Sequence, residues 1–161
     1  MGICAKCLEI KNALWYDDFN VLRRTISMMN FDDMVALANE NNTFMRKNRI
    51  RITSVDMDHA TAEAIITQEL KNLHGNVHGG AYFTMADACC GILARADGRK
   101  YVSTDTSFRF LKGADAGTLV ATSSVVKRGK TLTFLRVVIH LKETGEILAD
   151  GDFTFFCTSE V

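Results

Sequence analysis

A helix with no polar face has to be surrounded by the rest of its chain, and this sequence carries one. From Gly79 to Ala96 the residues Ala81, Phe83, Met85, Ala86, Ala88, Cys89, Cys90, Ile92 and Leu93 cover nearly every direction around a helical axis. Such a helix belongs in a core. It is entered through Asn72-Leu73-His74-Gly75-Asn76-Val77-His78-Gly79-Gly80, where a strand-like run ends. The first backbone N–H groups of any helix lack intrahelical partners and carry the positive end of its dipole, so they suit a developing oxyanion. Two glycines at that point let a ligand carbonyl approach the backbone. Asp87 is the only acid between Gly79 and Ala96. A carboxylate in apolar surroundings is costly unless it is paired or used.

The rest of the composition is permissive. The chain has 161 residues, enough for one domain with a sizeable core. Its formal net charge is +0, which gives no electrostatic case for a nucleic-acid partner. No apolar run approaches the roughly 20 residues of a membrane helix, so no membrane partner is expected. The N-terminus lacks a basic segment followed by an apolar stretch, and Lys6 stands where a myristoylation motif wants Ser or Thr. Five cysteines are present. Reduced thiols in a cytoplasmic protein account for them, with Cys89 and Cys90 as small buried hydrophobes. Cys4-Ala5-Lys6-Cys7 has no second pair to complete a zinc site.

Two helices are expected before the strands begin. Trp15, Phe19, Leu22, Ile26 and Met29 recur at helical spacing. A second helix starts at Asn30 as N-cap, with Asp32 and Asp33 in its first turn and Phe31, Met34, Val35 and Ala38 as its apolar stripe. From Arg49 the period changes to two. Arg49–Met57 and Ala60–Leu70 read as strands around an Asp58-His59 turn. After the central helix and an Asp97-Gly98 break come Tyr101–Leu111, Thr118–Lys127, Thr131–Leu141 and Ile147–Cys157. In the first of these, Val102, Thr104, Thr106, Phe108 and Phe110 are expected on one face. In the last, Ile147, Ala149, Phe153 and Phe155 are. Arg128-Gly129 and Thr144-Gly145 supply turns. The expected fold class is α+β: about six antiparallel strands wrapped around one long helix, with extra N-terminal helices. The division is an extension over residues 1–30 and a domain over 31–161.

At these residues the chain resembles the hotdog-fold thioesterases, and within them the phenylacetate-pathway (PaaI-like) branch. The resemblance rests on Asn-x5-His-Gly-Gly, the acid seven residues after the second glycine, and the late pattern Gly117-Thr118-Leu119, Gly129, Gly145 and Ala149. It runs from about Phe31 to Cys157. It implies hydrolysis of an acyl-coenzyme A thioester without a cofactor. It carries Asn72, His78, Gly79 and Asp87 into the active site, with a hydroxyl from the following strand, Ser103 or Thr104. Gly79 N–H would polarise the carbonyl and Asp87 would act as general base or nucleophile. Asn72 and His78 would hold the loop and orient water or carbonyl. The resemblance also implies self-association as a homodimer or homotetramer. Spacing leads to the same place: Gly79 and Asp87, eight residues apart on one helix, are separated by about 12 Å along its axis. One thioester carbon reaches both only if Asp87 comes from a second subunit.

Other readings of the same residues stay open. Asp87 also suits a structural acid held by backbone groups or Thr84. His74 and His78 stand four apart, but glycines break any helix there and no carboxylate completes a metal site, so no metal is expected. The tip Lys127-Arg128-Gly129-Lys130 is a solvated turn or a contact for coenzyme A phosphates, with Gly80 also at the substrate. The phenylalanines of the late strands are core first and acyl-pocket lining second. A non-catalytic acyl-CoA-binding protein on this fold would be expected to lack the acid. An acyl-thioester hydratase would carry a different histidine–acid arrangement.

Overall fold

The structure, a computed structural model, describes residues 30–159. The Trp15–Met29 stripe and the Cys4/Cys7 pair lie outside the described residues. Helix α1 spans Phe31–Asn41, and its first turn is closed by Asp33 N–H donating to Asn30 Oδ1 at 2.8 Å. Asn42 then caps a short helix, α2 (Thr43–Lys47), through Met45 N–H at 3.0 Å. The sequence pattern did not reveal this element, because five residues are too few to show a helical period. Arg49 takes the left-handed conformation (φ 54) that ends α2, so the first strand starts two residues later than expected.

Six strands follow: β1 (Arg51–Val55), β2 (His59–Ile65), β3 (Tyr101–Phe110), β4 (Thr118–Arg128), β5 (Leu132–Leu141) and β6 (Ile147–Cys157). They form one antiparallel sheet in the order β1-β2-β4-β5-β6-β3. β2 stops at Ile65 because its neighbour β4 begins at the paired Thr118. Without a partner the chain turns through Gln68–Leu70 instead of continuing as strand. The β1–β2 turn is tied by Asp56, whose carboxylate accepts from the N–H groups of Asp58 and His59, both at 2.7 Å.

Helix α3 (Gly79–Ala94) lies across the sheet and packs on β2, β4, β5, β3 and β6. Met85, Ala86, Cys89, Cys90 and Leu93 have no solvent exposure. A helix without a polar face is enclosed as its composition requires. It continues as a tight turn over Arg95–Asp97 and ends at Gly98, whose φ of 80 suits a left-handed cap. α1 packs on β1, with Met34, Val35 and Ala38 against the core.

The face expected for β3 is broken in the middle. Ser103 pairs with Phe155 and Asp105 with Thr154, leaving Thr104 as an extra residue, a β-bulge. Beyond the bulge Thr106, Phe108 and Phe110 turn inward as expected. Before it Val102 pairs with the exposed Phe156, and the inward places belong to Tyr101 and Ser103. In β6 the buried set is Leu148, Ala149, Gly151, Phe153, Phe155 and Cys157, while Ile147 is exposed because the β5–β6 register shifts beside it.

Candidate active site

The loop before α3 is built by backbone bonds. Asn72 Oδ1 accepts from the N–H groups of His74 (2.9 Å) and Asn76 (3.3 Å), and Asn72 N–H donates to Asn76 O at 2.7 Å. His78 N–H reaches Leu70 O and Val77 N–H reaches Ala114 O. These bonds deliver His78 to the N-cap of α3, where its Nδ1 accepts from Gly80 N–H at 2.9 Å. A neutral imidazole accepting at Nδ1 carries its proton on Nε2, so His78 presents a donor outward. Gly80 N–H is used by this cap. Gly79 N–H has no partner among the described residues, and it sits at the positive end of a sixteen-residue helix. Gly79 borders a cavity of about 420 Å³ together with Asn72, Asn76, Tyr82 and Phe110. A Cβ at Gly79 would stand 3.2 Å from the Phe110 ring.

Two turns further along α3, Asp87 faces a different and larger cavity of about 840 Å³. α1 and α2 wall it with Met34, Ala38 and Met45, and the sheet with Ile52 and Phe155. Half-burial pushes the Asp87 carboxyl above the usual aspartate range, against the opposing influence of the Ser103 hydroxyl and the charge of Arg95. Of the two hydroxyls expected to assist, the bulge brings Ser103 to Asp87 and turns Thr104 to the Thr154 carbonyl at 3.1 Å. Gly79 and Asp87 of one chain therefore open into separate cavities.

The basic hairpin divides by side chain. Lys127 and Lys130 are exposed. Arg128 is committed inside: its guanidinium donates to Met57 O (2.7 Å) and Leu93 O (2.8 Å), and its Nε lies 3.4 Å from Asp97 Oδ2. Asp97 also accepts from Tyr101 OH at 2.8 Å and from Arg99 N–H, Nε and Nη2. Burial alone would raise its carboxyl; the bonds from Arg99 and Tyr101 outweigh that and hold it low. Arg99 in turn donates to the carbonyls of Gly129 and Lys130. The Asp97-Gly98 break thus locks the end of α3 to the hairpin, a role its sequence did not signal. Burial raises the Cys89 thiol to about 11, and its Sγ reaches Ala60 O at 3.3 Å. Cys90 is likewise raised by burial. Both are inert core groups. No cluster of three metal-ligating side chains occurs among the described residues.

Comparison with known proteins agrees with this frame. The family model of the thioesterase superfamily matches residues 74–148. Human acyl-coenzyme A thioesterase 13 is 31% identical over 109 residues, covering 66% of this chain and 78% of the relative. The Escherichia coli acyl-coenzyme A thioesterase PaaI is 32% identical over 92 residues, covering 56% of this chain and 66% of its own length. A Deinococcus radiodurans protein named as an esterase is 33% identical over 85 residues, and there the match spans 58% of the relative. The solved structure of E. coli PaaI superposes with a TM-score of 0.75 at 24% identity, over 80% of this chain and 94% of that one.

Proposed function

Because the chain belongs to the thioesterase superfamily, in its PaaI-like hotdog branch, we propose that it hydrolyses acyl-coenzyme A thioesters. The observation that carries this is Asp87: the single acid of an enclosed helix, beside Ser103 at the wall of a large, mostly apolar cavity. Gly79 N–H polarises the thioester carbonyl. Asp87 takes the proton of an attacking water, or attacks directly, and Ser103 fixes its carboxylate. The tetrahedral oxyanion collapses with loss of the coenzyme A thiolate, leaving a free acid. Asn72 and His78 shape the loop that presents Gly79, and Nε2–H of His78 is a donor available at the same helix end. Lys127 and Lys130 meet the coenzyme A phosphates as exposed point charges.

The working unit is a two-fold dimer, assembled further as a tetramer, with Gly79 and Asp87 of each site drawn from different subunits. Two features support this reading. The two groups face separate cavities within one chain. β3 is an edge strand of ten residues, paired with β6 on one side and with no described strand on the other, and such an edge pairs readily with a second chain. The buried, unpaired Cys89, Cys90 and Cys157 accord with a reducing, cytoplasmic setting.

Release of thiol from a series of acyl-coenzyme A substrates tests the assignment. Asp87→Asn keeps the shape of the side chain and should lower turnover by ~10²-fold or more, the usual worth of a general base. Near-normal turnover in that variant would overturn it.

A further inference from the structure

Asp87 and Gly91 on α3 and Arg95, the residue that directly follows it, are spaced at intervals of four, and all three border the 840 Å³ cavity. At four-residue spacing they stand one above the other, so Arg95 lies about 12 Å beyond Asp87 along the helix. Between them Gly91 leaves a trough: a Cβ there would touch nothing nearer than the Phe155 ring at 3.9 Å. Met34, Ala38, Ile52 and Ile92 give the cavity apolar surface, and Asn41, Asn42, Thr43 and Lys100 also line it. The cavity therefore runs from the acid over apolar surface to a cation.

Arg95 has no structural task to explain it. A cation at a helix C-terminus ordinarily serves the last carbonyls. Here that work falls to Arg128, which donates to Leu93 O. Arg99, beside the same cavity, is held by Asp97 and two hairpin carbonyls. The Arg95 guanidinium makes no hydrogen bond or ion pair among the described residues, and feels only the charge of Asp87. Its five donors, set in a planar fork, suit a carboxylate or a phosphate.

Resting on the thioesterase reading, we propose that the acyl group this cavity accepts carries a second carboxylate at its far end, which Arg95 binds while the thioester carbon lies at Asp87. The substrate class is then the mono-coenzyme A thioesters of medium-length dicarboxylic acids. A coenzyme A phosphate is the other anion in reach of such a cation. The apolar share of that lining favours the acyl carboxylate, because the pantetheine arm is polar along its length.

The test compares adipoyl with hexanoyl thioesters, as coenzyme A and as N-acetylcysteamine derivatives, at about pH 8, where the carboxylates are ionised. Wild-type protein should prefer adipoyl by at least about tenfold in kcat/KM in both series, the worth of one charge-assisted hydrogen bond. Arg95→Met should collapse that ratio, and Arg95→Lys should keep part of it. A wild-type preference for hexanoyl would overturn the inference. So would an Arg95→Met loss that is equal for both acyl groups and confined to the coenzyme A series, which marks a phosphate contact. Thermal-shift binding of free adipate against hexanoate separates the two layers. Arg95-dependent adipate binding without hydrolysis of any thioester upholds the carboxylate site and sinks the thioesterase reading. Hydrolysis of both acyl groups alike, with Arg95→Met leaving their ratio unchanged, does the reverse.

Discussion

Ser103 on β3 and Asp87 on α3 line the same cavity, and the serine hydroxyl favours the ionised carboxyl against the effect of burial. The pair joins the enclosed helix to the open edge of the sheet. Its consequences are measurable in stability as well as in rate.

Burial raises the Asp87 carboxyl above its value of 3.8 in the unfolded chain. Below that value both states are protonated. As pH rises through the folded-state value, the unfolded state releases the proton more readily, and stability falls until the full penalty of a half-buried charge is present. Asp87→Asn should accordingly raise Tm at neutral pH while it lowers turnover, and the gain should vanish near pH 3.8. Thermal melts across pH test this; a variant less stable at pH 7 than at pH 4 relative to wild type would contradict it.

Removing the Ser103 hydroxyl takes away a polar neighbour that favours the ionised carboxyl. Ser103→Ala should move the acid limb of kcat/KM to higher pH, because the base then needs a lower proton concentration to ionise. Thr104→Ala, whose hydroxyl donates to Thr154 O, should leave the limb in place. A limb that stays fixed in Ser103→Ala would mean that Asp87 is not the group titrating.

Proline is well tolerated at the first position of a helix, where its missing N–H would have no helical partner. His78 already has the extended backbone (φ -66, ψ 136) that a following proline requires. Gly79→Pro therefore deletes the N–H proposed to polarise the carbonyl with little harm to α3, and Gly79→Ala controls for the added Cβ against Phe110. The proline variant should fall a further ~10²–10³-fold in kcat, as loss of an oxyanion donor does. Co-expressed with Asp87→Asn chains it should regain activity, since some mixed dimers contain one intact site. Equal rates in the alanine and proline variants would remove Gly79 N–H from the mechanism, and isolated mixed dimers without activity would remove the shared site.

Asp97 holds Arg99, Tyr101 and Arg128 around a side chain that is 11% exposed. Asp97→Ala leaves Arg128 buried beside no counter-charge, which should destabilise the fold by about 3–5 kcal/mol. Because the Asp97 carboxyl is held low, its contribution is present above the ordinary aspartate range and is lost as pH falls through the folded value. Denaturation of the variant should thus show a weaker loss of stability in acid than wild type.

Alternation and helical period were enough to find β6 to the residue, the six-strand sheet and the enclosed helix, because burial on one side leaves a period in the sequence. The N-cap at Asn30 was legible for a local reason, an acceptor three residues before an unpaired N–H. Asp87 stood out as the one acid in an apolar run. The choice between Ser103 and Thr104 was not legible, since a bulge changes the face of every residue before it without changing composition. Arg128 read as an exposed tip residue because its partners Met57, Leu93 and Asp97 are distant in sequence. Arg95 was passed over for a similar reason: only the placement of α1 and α2 makes its surroundings a cavity.

The unpaired residue at Thr104 has a further meaning for how chains of this kind are compared. With Thr104 deleted the ladder would run regularly, and Ser103 would still stand opposite Phe155, facing inward. With the residue kept but the bulge ironed out, the threonine would meet the acid and the serine would turn to solvent. The partner of the acid is thus fixed by pairing distance from Phe155, not by distance along the chain from Asp87. Homologues that differ by one residue in this strand keep the same hydroxyl in place only when a gap is put at the bulge, and an ungapped alignment assigns the role to the wrong neighbour.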